Sequence, residues 1–202
     1  MSGKRAAVRA DLTNRLLEAA TARIERGGLG SMRARDVTAD AGCGLGKIYK
    51  CYEDLDDLII HVNSGTLARL RHALQAGIDG VDEPALRLKA LAKAYLQFAR
   101  DHTNLWLALF QHRLPGERTA PDWHVRENTE LIGFIARSIA QLEPEISEDQ
   151  LAARARTYFA AVHGIVLIGL QGKFVAPPEG SLDRELEDLV GRLTTFETPS
   201  DG

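Results

Sequence analysis

The sequence predicts an all-α fold. Apolar residues recur at three- and four-residue spacing along almost the whole chain, the mark of helices with one buried face. No stretch alternates apolar and polar residues as a half-buried strand would. Clusters of glycine and proline mark the breaks between the periodic segments.

The spacing predicts nine helices. Leu12, Leu16, Leu17, Ala20 and Ile24 form the apolar face of the first, and Gly27-Gly28 accept the left-handed backbone that ends it. Ser31 is expected to cap a short second helix over about 32–40. Gly42 breaks that helix, and a third of two turns runs over about 44–52. Asp54 and Asp57 complement the positive end of a fourth, whose apolar residues include Leu58, Val62, Leu70 and Leu74. After a break at 77–83, Pro84 opens the fifth, with Leu88, Leu91, Tyr95 and Phe98 on its apolar face. A short sixth covers about 102–112, and 114–121 is a loop. The seventh spans about 122–142 with Leu131, Ile135, Ile139 and Leu142. Ser147 and Gln150 have capping-box spacing for the eighth, and Ser181 is placed to cap a ninth carrying Leu182, Leu186, Leu189 and Leu193. The last six residues are expected to fray.

Composition narrows the function. With 45% hydrophobic and 26% charged residues, the 202-residue chain is an ordinary globular one. No uninterrupted apolar run reaches the ~18–20 residues that span a bilayer, and no apolar segment follows the basic start as in an export signal. The expectation is a cytoplasmic protein without a membrane partner. Cys43 and Cys51 are too few for a disulfide framework. The net charge of −3 hides an asymmetry. Residues 1–50 carry ten Lys/Arg against five Asp/Glu, and the remainder fifteen against twenty-three. Any polyanion binding therefore belongs to the first quarter.

Enzyme chemistry finds no footing. There is no HExxH, no G-x-S-x-G and no phosphate-cradling loop. His102, His112 and His163 are the one arrangement considered for a metal; His102 and His112, ten residues apart, fall on different sides of one helix. No catalytic residue, cofactor or metal is assigned.

The long–short–short pattern of the first three helices suits a helix-turn-helix. A recognition helix needs apolar anchors inward and small or polar residues toward a groove about 12 Å wide. In residues 44–52, GLGKIYKCY, Ile48 and Tyr52 are four apart and can face the core, while Lys47, Tyr49 and Lys50 can point outward.

Residues 36–59, DVTADAGCGLGKIYKCYEDLDDLI, resemble the signature of the TetR/AcrR family of transcriptional regulators. Asp36, Val37, Ala41, Gly42, Gly46, Ile48, Tyr49, Tyr52 and Leu58 match by identity or type, and residues 16–32 resemble the family's first helix. Residues 95–115 and 160–174 resemble its WHG-type C-terminal domain. Three positions depart: Gly44 stands for the usual serine, Cys51 for a histidine, and Leu55 for a lysine that often touches phosphate.

The resemblance implies a nine-helix TetR-like fold with a DNA-binding domain over 1–52 and a helical ligand-binding and dimerisation domain over 53–202. It implies a repressor that binds a palindromic operator as a homodimer and is released by a small apolar molecule. A regulator of this type without ligand response, or a helical enzyme, are the alternatives. Arg33, Arg35, Gly44, Lys47, Tyr49 and Lys50 are the candidates for double-stranded operator DNA, with Lys47 the base-edge candidate. Phe98, His102, Trp106, Phe110, Trp123 and His163 are candidates for the effector. Residues 158–170 are apolar nearly all round, which calls for burial on more than one face. The eighth and ninth helices, about 148–174 and 182–195, are therefore expected to form a two-fold interface.

Overall fold

The computed structural model describes residues 2–172, 175–178 and 180–195. The expected fraying of the last six residues and the expected close of the eighth helix at 173–174 lie outside the described residues. Among those described there is no strand. The elements are α1 (Ser2–Gly27), a 3-10 turn (Leu29–Ser31), α2 (Ala34–Asp40), a 3-10 helix (Leu45–Lys50, the recognition segment), α3 (Leu55–Gly77), α4 (Pro84–Asp101), α5 (Thr103–Gln111), α6 (Asp122–Leu142), α7 (Glu148–Leu170) and α8 (Leu182–Leu193). Counting the recognition segment, the expected nine helices are present in order, and the extra 3-10 turn joins α1 to α2.

Two capping expectations are corrected. Ser31 does not cap α2: its hydroxyl donates to the carbonyls of Gly28 (2.7 Å) and Arg23 (3.0 Å), and Arg33 holds the N-cap position without a side-chain bond. Ser181 stands at the N-cap of α8, but its hydroxyl turns back to the Pro178 carbonyl at 2.9 Å. In both, a nearby carbonyl competes for the short hydroxyl. The Ser147–Gln150 capping box of α7 is formed in both directions. Asp54 and Asp57 build a carboxylate version at α3: the Asp57 N–H donates to Asp54 at 2.8 Å, and the Glu53 N–H donates to Asp57 at 2.9 Å.

The chain divides into two compact units, one holding residues up to 69 together with 101–127, the other 70–100 and 128 onward. The core of the first unit contains Leu16, Ala20 and Ile24 of α1, Val37 of α2, Ile48 and Tyr52 around the recognition segment, Leu58 and Val62 of α3, and Leu105 and Ala108 of α5. The α1 stripe read from the sequence is thus its backbone of apolar contact. In the second unit α4, α6, α7 and α8 supply buried residues such as Leu88, Leu91, Phe134, Tyr158, Val166 and Val190. Gly77 ends α3 where a Cβ would lie 2.7 Å from the Ala94 Cβ, so only glycine allows that approach.

By length and composition α7 is the one described helix able to cross a membrane, and only 17% of its apolar window is buried within the chain. The count of uninterrupted apolar residues missed this, because the helix mixes small residues and His163 among its aliphatic ones.

Candidate nucleic-acid interface and apolar cavity

The turn between α2 and the recognition segment is fixed by backbone bonds. Gly42 takes φ +63°, the Ala41 N–H donates to Val37 and the Cys43 N–H to Thr38, both at 2.9 Å. Only a residue without a Cβ takes this backbone at no cost. Arg23 of α1 reaches Asp40 of α2 at 2.8 Å, and Arg15 donates to the Ala41 carbonyl at 2.9 Å. The short helix is therefore held at its C-terminal end from α1.

The recognition segment has one anchored face. Ile48 is fully buried, and Tyr52 is buried with its hydroxyl donating to the Thr13 carbonyl of α1 at 3.1 Å. Burial pushes the Tyr52 phenol up to about 12, with Cys51 and Asp57 adding to the rise. Lys47, Tyr49 and Lys50 are exposed, Tyr49 by 60%. Arg33, Arg35 and Gly44 are exposed as well. All six candidates for DNA contact thus lie at the surface of one unit, on α2, the segment after it and their N-cap positions. The segment is a 3-10 helix rather than an α-helix. Gly44 at its N-cap offers no side-chain oxygen to the first N–H groups, and the Lys47 N–H instead closes a tight turn on the Gly44 carbonyl at 2.9 Å.

The acidic opening of α3 has a partner the sequence did not reveal. Arg118, from the loop after α5, forms an ion pair with Asp54. The Asp57 N–H, and then Arg118, hold the Asp54 carboxyl below its usual range. His112 meets Asp56 at 2.9 Å. His61 stacks on Trp123 at 5.2 Å and meets the Tyr52 ring edge-on at 5.4 Å.

The six effector candidates are divided between the two units. His102, Trp106, Phe110 and Trp123 belong to the first unit, where Trp106 is fully buried. Phe98 and His163 belong to the second. That unit contains an apolar cavity of about 70 Å³, lined by residues that include Leu70, Leu74, Leu91, Tyr95, Phe134 and Phe159. None of the six lines it. His163 touches two of the lining residues: its Nδ1 and the Tyr95 hydroxyl share a hydrogen bond of 2.8 Å, and its ring stacks on Phe159 at 5.5 Å. Burial pushes the His163 imidazole down from its ordinary value. Among the described residues no group of three His, Cys, Asp or Glu side chains could hold a metal.

Two short helices packed against α1 near the start and an apolar cavity among the later helices are the features of this all-α chain that bear on its function. The sequence model of the tetracyclin repressor-like C-terminal domain matches residues 88–193, just over half of the chain. The chain belongs to the TetR family of transcriptional regulators. Among curated proteins no sequence matches it significantly. Solved structures share the fold. A Rhodococcus sp. RHA1 protein of unknown function is 23% identical, covering 91% of this chain and 93% of its own, with TM-score 0.73. Thermus thermophilus FadR, a TetR-family repressor solved with lauroyl-CoA, is 20% identical over 94% and 99%, with TM-score 0.64. AibR, solved with isovaleryl coenzyme A and operator DNA, is 16% identical over 92% and 100%, with TM-score 0.63.

Proposed function

We propose that the chain is a homodimeric repressor that reads a palindromic operator through residues 1–52 and is released by a small apolar effector bound among residues 53–202. The observation that carries the reading is the two-faced recognition segment. Ile48 and Tyr52 fix it to the core, while Lys47, Tyr49 and Lys50 face solvent. Lys47 donates to guanine O6 or N7, and Tyr49, Lys50, Arg33 and Arg35 hold phosphates. Gly44 lets the backbone approach. AibR, with its operator DNA, supports the same use of the fold.

The effector reading rests on the cavity of the second unit. Its volume of about 70 Å³ is well short of the ~300 Å³ at which ligand pockets begin. An effector must therefore open it. Leu70 and Leu74, two of its wall residues, belong to α3, the helix that begins at Leu55 just after the recognition segment. Displacing that wall acts on the helix that leads to the reading head. FadR and AibR carry acyl-CoA ligands. Here the cavity lining contains no charged residue, which favours an uncharged apolar molecule or the apolar end of a larger one.

The reading is tested by selecting bound sequences from a random duplex library with the purified chain, then repeating the selection with Lys47→Ala/Tyr49→Ala. A palindromic consensus lost in the variant is the expected result. Failure to retain any duplex at low salt would overturn it.

A further inference from the structure

Residues 5–11 of α1 add nothing to the core. The helix begins at Ser2, yet its first buried residue is Leu16, and residues 5–11 are all exposed. At 1.5 Å per residue, this leading segment extends about 15 Å along the helix axis. Its charge is one-sided: Lys4, Arg5 and Arg9 precede the first acid, Asp11, which is paired with Arg15 at 3.1 Å. Among the described residues neither Arg5 nor Arg9 makes an ion pair. Cations at a helix N-terminus oppose the helix dipole, so this pattern weakens the isolated helix and suits a polyanion lying against it.

Helical spacing fixes the direction. Arg5, Arg9, Leu12, Leu16 and Ala20 fall at intervals of four, three, four and four, which places the two arginines on the face that packs into the core further along. That face meets the reading head: the Thr13 carbonyl accepts the Tyr52 hydroxyl, two residues past the recognition segment. Arg9 and Arg5 lie about 6 and 12 Å further along the axis.

We propose that the leading turns of α1 are a second DNA-contacting element, in which Arg5 and Arg9 grip duplex phosphates beside the half-site read by Lys47 and Tyr49. This rests on the DNA-binding reading above. The arm supplies phosphate contacts in place of those that Cys51 and Leu55 do not make. It adds affinity without adding sequence preference.

The test measures binding of the full chain to a 30-bp random-sequence duplex by fluorescence anisotropy over a range of KCl concentrations. Arg5→Ala/Arg9→Ala is compared with wild type, with Lys47→Ala/Tyr49→Ala, and with a charge-matched control, Lys93→Ala/Arg184→Ala, in the other unit. Two lost phosphate contacts lower the slope of log K against log [salt] by about 1.8 and cut affinity at 0.1 M salt tens of fold. The control pair keeps the wild-type slope. Circular dichroism of the arm variant checks that the fold is retained, and Arg5→Lys/Arg9→Lys restores most of the slope. If wild type and Lys47→Ala/Tyr49→Ala bind alike, the reading head itself is at fault. If only the latter weakens and the arm variant matches wild type, the arm proposal is overturned. An arm variant that keeps its DNA slope but loses binding to anionic phosphatidylserine vesicles also overturns it, in favour of a membrane surface.

Discussion

Buried anchors and exposed side chains alternate within six positions, 47–52. Ile48 is fully buried. Truncating it to alanine should cost about 2–5 kcal/mol, seen as a lower urea midpoint. Lys47→Ala, at an exposed neighbour, should leave that midpoint within about 0.5 kcal/mol while weakening operator binding. Spacing alone made this division legible, because four residues return a side chain to the same face. The chemistry at His163 was less legible. The sequence put it with five other aromatic and histidine residues as a pocket lining, and the structure pairs it with Tyr95 and Phe159, two residues of the cavity wall. Burial lowers its pKa, so the folded state prefers the neutral ring. The sign follows: a proton binds more tightly to the unfolded chain, whose imidazole titrates near 6.5. This contribution to stability is full above that pH and is lost progressively as pH falls below it and through the depressed folded value. Urea midpoints at pH 7.5 and 5.5 should therefore differ by less in His163→Gln than in wild type.

At the level of elements, helix ends carry information that periodicity does not. The two-carboxylate cap at α3 was visible as Asp54 and Asp57, but Arg118, sixty-four positions away, was not. The pair is more than a third exposed on both sides, so solvent screens it and it adds little. The cap is the larger part. Asp54→Ala should cost about 1–2 kcal/mol, whereas Asp54→Asn, which keeps an acceptor for the Asp57 N–H, and Arg118→Ala should each cost less. Chemical denaturation of the three variants ranks them; equal losses for Arg118→Ala and Asp54→Ala would make the ion pair the principal term. A sharper case is Gly77→Ala. Alanine gains roughly 1 kcal/mol of helix propensity, but its Cβ meets Ala94 at 2.7 Å, a contact between two short side chains with no rotamer to yield. Overpacking of about 1–3 kcal/mol should make the net change destabilising. The cavity escaped the sequence for a related reason. Its walls come from five helices, α3, α4, α6, α7 and α8, and an apolar residue facing a void has the same spacing as one facing a neighbour.

For the whole molecule the open question is what covers α7. A helix of 23 residues that is apolar on most sides yet buried over only 17% of its apolar window needs a further surface. The homodimer proposed above would meet that need, and a palindromic site with half-sites one turn of DNA apart, about 34–36 Å, would call for the same two-fold axis. Small residues would let the helices approach. At Gly164 an added Cβ meets nothing within 4 Å inside the chain, while at Gly169 it meets Leu182 at 2.7 Å. The two glycines therefore answer different questions. Gly169→Ala disturbs the packing of α7 on α8 within one chain. Gly164→Leu starts its side chain where a Cβ meets nothing within the chain and places that bulk on the proposed two-fold seam. Sedimentation velocity at micromolar concentration should show a dimer for wild type and a larger monomer fraction for Gly164→Leu. Circular dichroism should show unchanged helicity, and affinity for a full palindrome should fall toward that for a half-site. A dimer equally stable in Gly164→Leu would move the interface off this face of α7 and leave its apolar surface to another partner.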